Sequence, residues 1–255
     1  MQHEIEPIID NFKIPDELVQ ECDRKAYNER DGVGWGIMNR GYESHNDEFQ
    51  RMKGTTIKEF LEERTKNGEP TATLDLMGFG DILYDLRSQH IPFSYGYSLS
   101  LDHMSRGVYR CYRTKDETIH HITGNILDKD TWNTLTDTMK AQNIGKLGLC
   151  IWAPAGGFSS DFVTDSVLIY NELLRRTFDL MSVTNGVLLT EVPWWVIREH
   201  PVAYEKWISE MKSANMTRNH PFCRILHHTG SNGDMLMIEK NPLHRTLPLL
   251  DVGLD

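Results

Sequence analysis

From Pro70 onward, short apolar runs rich in β-formers alternate with stretches of helical periodicity, and this alternation constrains the fold more than any single motif. Thr71 to Met77 is the first run, followed by Gly78-Phe79-Gly80 and a helical stretch from Asp81 to Gln89. Phe93 to Leu101, His120 to Thr123, Leu147 to Trp152 and Val187 to Val192 repeat the pattern. Between them lie amphipathic segments, one with Trp132, Leu135 and Met139 on a single face, another with Leu168, Leu173, Leu174, Phe178 and Met181 pointing inward. Asp165 is placed to cap the second of these. Strands that alternate with helices pair in parallel through right-handed crossovers. After a helical stretch from Val202 to Ala214 the pattern changes. Phe222 to His227 and Met235 to Glu239 flank Thr229-Gly230-Ser231-Asn232-Gly233-Asp234, a hairpin signal. The expected fold is α/β: a mostly parallel seven-stranded sheet, helices on both faces, and an antiparallel C-terminal hairpin at one edge.

Residues 1–54 read as an N-terminal extension and 55–255 as the main domain. The extension is polar and weakly periodic up to about residue 50, with a helical stretch expected from Ile14 to Tyr27 and a glycine-rich segment around Trp35. It is either a cap over a ligand or a segment packed on the domain edge. Thr56-Ile57-Lys58-Glu59 has the capping-box pattern and starts a helix that Asn67-Gly68 ends.

A formal charge of −10 argues against a surface that grips a phosphate backbone, although Arg106, Arg110 and Arg113 lie close together. A small-molecule substrate is therefore favoured over nucleic acid. Cys22, Cys111, Cys150 and Cys223 are widely spaced, which suits a reducing, cytoplasmic setting rather than a disulfide framework or a zinc cluster. The opening MQHEIEPIID is acidic and has no apolar core, so no secretory signal is expected, and no apolar run reaches the length of a membrane span.

In an open parallel sheet, ligands bind beyond the carboxyl ends of the strands. Four strand exits carry suitable residues. Asp75, Met77, Gly78, Phe79 and Gly80 form the first, where glycines let a ligand approach the backbone and the amides at the start of a helix. Asp102, about twenty residues after Gly80, is placed to accept hydrogen bonds from ribose hydroxyls, with His103 beside it. Asn125-Ile126 pairs a polar side chain with an apolar one, able to read a base edge and cover its face. Asp128 or Asp130 next to it equally suits a helix cap. Trp152 and Pro154 lie at the fourth exit, where the reactive end of a cofactor would meet substrate.

The order of these exits, together with the terminal hairpin, resembles the class I S-adenosylmethionine-dependent methyltransferases, a Rossmann-like family, over about Thr55 to Lys240. The resemblance implies S-adenosylmethionine (SAM) as cofactor. By position, Asp75 with Gly78 and Gly80 would lie under its methionine part and Asp102 would hold the ribose. Asn125 and Ile126 would face the adenine, and Trp152 and Pro154 would line the methyl-transfer end. The glycines stand three and five residues after Asp75, where the family commonly has two, four and six.

Methyl transfer from a sulfonium needs alignment and exclusion of water more than a catalytic triad. His103, Asp128 and Asp161 are candidate bases. The pairs His120-His121 and His227-His228 have no third ligand at metal spacing. Two rival readings are a methyltransferase-like binding module without activity and an NAD-dependent oxidoreductase. The oxidoreductase would need a third glycine where Leu83 stands.

Overall fold

The computed structural model describes residues 14–20, 42–77, 80–100, 116–152, 166–213, 222–227, 233–242 and 246–253. Its helices are α1 (Tyr42–Lys53), α2 (Ile57–Lys66), α3 (Asp81–Ser88), α4 (Lys129–Ala141), α5 (Ser166–Leu180), α6 (Trp194–Glu199) and α7 (Pro201–Ser213). Seven strands form one sheet: β1 (Thr73–Leu76), β2 (Gly96–Ser100), β3 (Ile119–Thr123), β4 (Leu149–Trp152), β5 (Gly186–Glu191), β6 (Cys223–Leu226) and β7 (Met235–Lys240).

The spatial order is β3-β2-β1-β4-β5-β7-β6. The first five strands pair in parallel. β7 runs antiparallel between β5 and β6, so the hairpin enters the sheet with its second strand inward. That places neighbours on both edges of β7, and all six of its residues are buried. The strand order reverses between β1 and β4, the position where an open α/β sheet leaves a crevice at its carboxyl edge.

Side chains alternate across the sheet and divide the core in two. Leu74, Leu76, Tyr97, Leu99, Cys150, Trp152, Leu188, Leu236 and Ile238 pack with α4, α5 and α7. Leu149, Ile151, Val187, Leu189, Met235 and Met237 pack on the opposite face with α1, α2 and α3. Trp132, Leu135 and Met139 are buried on one face of α4, as their spacing predicts. Leu173, Leu174, Phe178 and Met181 are buried, and Leu168 is half-buried against the same core.

Local chemistry sets the helix ends. The Thr56 hydroxyl accepts from the Glu59 amide at 3.1 Å, and the Glu59 carboxylate accepts from the Thr56 amide at 2.8 Å. Both halves of the expected capping box are therefore made. Asn67 closes the helix and Gly68 follows in the left-handed region at φ 67°. Two helices escape the sequence pattern. α1 buries Phe49 and Met52 with α2, but His45 and Glu48 also lie on its buried face and mask the apolar period. α6 is a short turn after Pro193. Of the expected Ile14–Tyr27 helix, 16–20 are helical and residues 21–27 lie outside the described residues, as does Asp165.

Candidate functional site

β1 ends at the switch point, and its exit is held by one buried carboxylate. Asp75 is 3% exposed and lies in register with Ser98 of β2 and Ile151 of β4. Its Oδ2 accepts from the Gly80 amide at 2.8 Å, which ties the start of α3 back onto the strand. Gly80 is left-handed, at φ 79°. A Cβ at this position would lie 2.8 Å from Cε1 of His121 and 3.3 Å from Cβ of Ser98. A side chain here would have to displace the His121 ring, and such close backbone approach is how a sheet presents helix-start amides to a ligand. His121 is fixed in turn by Tyr84, whose hydroxyl is 2.9 Å from its Nε2. Burial, with Asp116 adding to it, pushes the Tyr84 phenol above its usual value.

Met77 adopts φ 68°, a left-handed conformation uncommon for such a residue and associated with functional sites. Its thioether accepts from Trp152 Nε1 at 3.3 Å. Trp152 is fully buried and packs on Tyr170, with ring centroids 5.3 Å apart. The β1 exit and the β4 end are therefore joined across the switch point by a sulfur–indole contact. Asn125 and Ile126 lie at the β3 exit, both buried. The Asn125 Oδ1 accepts from Leu127 N at 2.9 Å, and its Nδ2 donates to Val19 O at 3.2 Å, so both ends of this amide are engaged by backbone. Asp128 caps α4 through the Asp130 amide at 3.0 Å. Gly78, Phe79, Asp102, His103, Pro154 and Asp161 lie outside the described residues.

A second polar cluster forms where β5, β7 and β6 reach the same edge of the sheet, and the contribution of Tyr204 to it is not visible in sequence spacing. Asp234 Oδ2 lies 2.6 Å from the Tyr204 hydroxyl and 2.7 Å from His227 Nδ1. Asp234 and Tyr204 are buried, while the His227 side chain is 67% exposed. Burial first, then the bond to Asp234, raises the Tyr204 phenol far above its usual value. The hydroxyl of Tyr170 is buried with no hydrogen-bond partner among the described residues. Only the His227–Asp234 half is foreshadowed in the chain, by its position across the hairpin turn.

Cys150 and Cys223 are buried free thiols, and burial pushes both up, Cys223 to about 12, which disfavours the thiolate that a nucleophile needs. Among the described residues no group of three His, Cys, Asp or Glu could hold a metal ion. Among them, too, no helix is long and apolar enough to cross a membrane.

No family model and no curated protein matches the chain. Solved structures do. Human methyltransferase-like protein 13 in complex with SAH is 15% identical, with a TM-score of 0.47 over 72% of this chain and 76% of that one. The O-methyltransferase TomG of Streptomyces achromogenes, in complex with SAM, is 9% identical, with a TM-score of 0.40 over 88% and 99%. At these values the fold rests on its own topology. A parallel sheet ordered β3-β2-β1-β4-β5, closed by an antiparallel β7-β6 pair, is the mostly parallel seven-stranded α/β fold expected from the sequence.

Proposed function

We propose that this chain is a SAM-dependent methyltransferase acting on a small molecule. The observation that carries the reading is the link between β1 and α3 at the switch point: Asp75 holding the left-handed Gly80 amide, where a side chain would displace His121. Asp75, Met77, Gly78, Phe79 and Gly80 would lie along the methionine part of the cofactor, and Asp102 with His103 along the ribose. Asn125 and Ile126 would stand at the adenine end, and Trp152 and Pro154 beside the methyl group. The pinned turn fits such a ligand, because helix-start amides there can face a carboxylate or ribose oxygen.

When bound, SAM supplies a methyl group already activated as a sulfonium. What the chain contributes is position and dryness. The Asp75–Gly80 bond ties the start of α3 to β1 before a ligand arrives, and the contact of the half-buried Met77 sulfur with the Trp152 indole joins β1 to β4. A net charge of −10 supports a small acceptor over a polyanion.

Isothermal titration of the intact chain with SAM, S-adenosylhomocysteine (SAH) and NAD tests the proposal. Binding of both adenosyl compounds and not NAD is the expected result. Heat of binding from neither, with the chain shown to be folded, would overturn it. Asp102→Ala is expected to weaken SAH through lost ribose contacts.

A further inference from the structure

Residues 14–20 lie far from the β1 turn in sequence, yet they are built into the β3 exit. Ile14 and Leu18 are 6% and 7% exposed and belong to the same core cluster as Ile126, Leu127 and Trp132. Pro15 opens a helical turn in which the Leu18 and Val19 amides both reach the Pro15 carbonyl, at 3.0 and 3.3 Å. The Val19 carbonyl takes the Asn125 side-chain amide. A short piece of chain is thus anchored by two apolar side chains and one hydrogen bond to the residue that stands at the base-reading position.

Docking of this piece does not fill the space beneath it. A cavity of about 270 Å³ remains between residues 14–20 on one side and Leu127, Asp128 and Lys129 on the other. Ile14, Val19 and Leu127 give it an apolar strip, while Asp16, Gln20 and Asp128 bring hydrogen-bond acceptors and Lys129 a donor around it. The site suits a planar base carrying an exocyclic amino group: apolar cover for the ring faces and acceptors for the amine. Because the Asn125 amide is already engaged by Val19 and Leu127, that residue's place is to hold the segment, and the polar partners of a base come from the segment itself.

We infer that residues 14–20 are a strap that closes over the base end of the bound cofactor, and that strap docking and adenosyl-cofactor binding are thermodynamically linked. The inference rests on the methyltransferase reading above. Linkage is reciprocal: whatever tightens the strap tightens the ligand by the same factor. A competitor that sits in the ligand's place would show the opposite sign.

Hydrogen–deuterium exchange of the intact chain, with and without saturating SAH, distinguishes these. The Leu18 and Val19 amides are expected to exchange more slowly with SAH bound, on the order of tenfold. Leu18→Ser is the companion variant, since Leu18 anchors the strap without lining the cavity. It is expected to weaken SAH about tenfold while the chain still melts cooperatively. Unchanged or faster exchange in the presence of SAH overturns the strap. So does unchanged affinity in the folded variant, and if Leu18→Ser does not fold, exchange in the wild type decides. Absence of SAH binding by the wild type would instead remove the methyltransferase reading, and the strap with it.

Discussion

Gly80 joins backbone strain to the edge of the sheet where the proposed cofactor would lie. Its φ of 79° costs a side-chain-bearing residue strain, and its missing Cβ leaves room for the His121 ring. Gly80→Ala must therefore distort the turn or displace His121, whose Nε2 is held by Tyr84. A loss of about 1–3 kcal/mol is expected from the backbone conformation alone, read from urea unfolding. SAH affinity should fall with it, because the Asp75 bond to this residue sets where α3 begins beside the proposed cofactor site. A variant with wild-type stability would show that the turn has another low-energy geometry. Met77 takes a comparable conformation without being glycine, and its sulfur contact to Trp152 supplies a compensating attachment. From sequence, the glycine spacing after Asp75 identifies the turn, but not that Met77, rather than a glycine, takes the first left-handed position.

Elements with a local signature were legible; those defined by distant partners were not. Thr56 and Glu59 specify the start of α2 within four residues. Thr56→Ala is expected to cost about 1 kcal/mol by chemical denaturation, with SAH binding retained. The carboxylate of Glu59, held low by its bonds to the Thr56 amide and hydroxyl, should then titrate closer to its ordinary value. The parallel strands were readable to within one to three residues, and β1, β4 and β5, whose apolar runs are buried on both faces, carry the clearest signal. α1 was not: it packs toward β6 and β7, far along the chain, and Lys53 there makes a half-buried ion pair with the buried Glu239, which Arg224 shares. A helix whose inward face ends in a charge paired nearly two hundred residues away carries little apolar period of its own. The Asp234 cluster was hidden for the same reason, since Tyr204 joins it from α7.

Across the whole molecule the two ends of the sheet do different work. The carboxyl ends of the parallel strands gather the switch point, the β3 exit and the Asp234 cluster. The other end carries a buried cation: Lys240, the last residue of β7, paired in register with Gly186 at the start of β5. Its Nζ donates to the Phe178 carbonyl at 2.7 Å and lies 4.6 Å from the Phe178 ring centroid. Burial, with Lys146 adding to it, pushes this ammonium down from 10.5 to about 8, against the pull of Asp179 and Cys150. The sign follows from linkage: between pH 8 and 10.5 the unfolded chain keeps a proton on Lys240 that the folded chain has released, so stability rises with pH across that window. Below pH 8 both states hold the proton and the contribution is flat at its least favourable value. Lys240→Met removes the titrating group and keeps a long apolar stem. Urea midpoints measured at pH 8 and near 10 are expected to show the wild type gaining on the variant as pH rises. Equal shifts in the two chains would mean that this ammonium titrates as it does in water, and that the carbonyls around it offset its burial completely. SAH affinity should be the same in both at either pH, because the change is made at the end of the sheet opposite the proposed cofactor site.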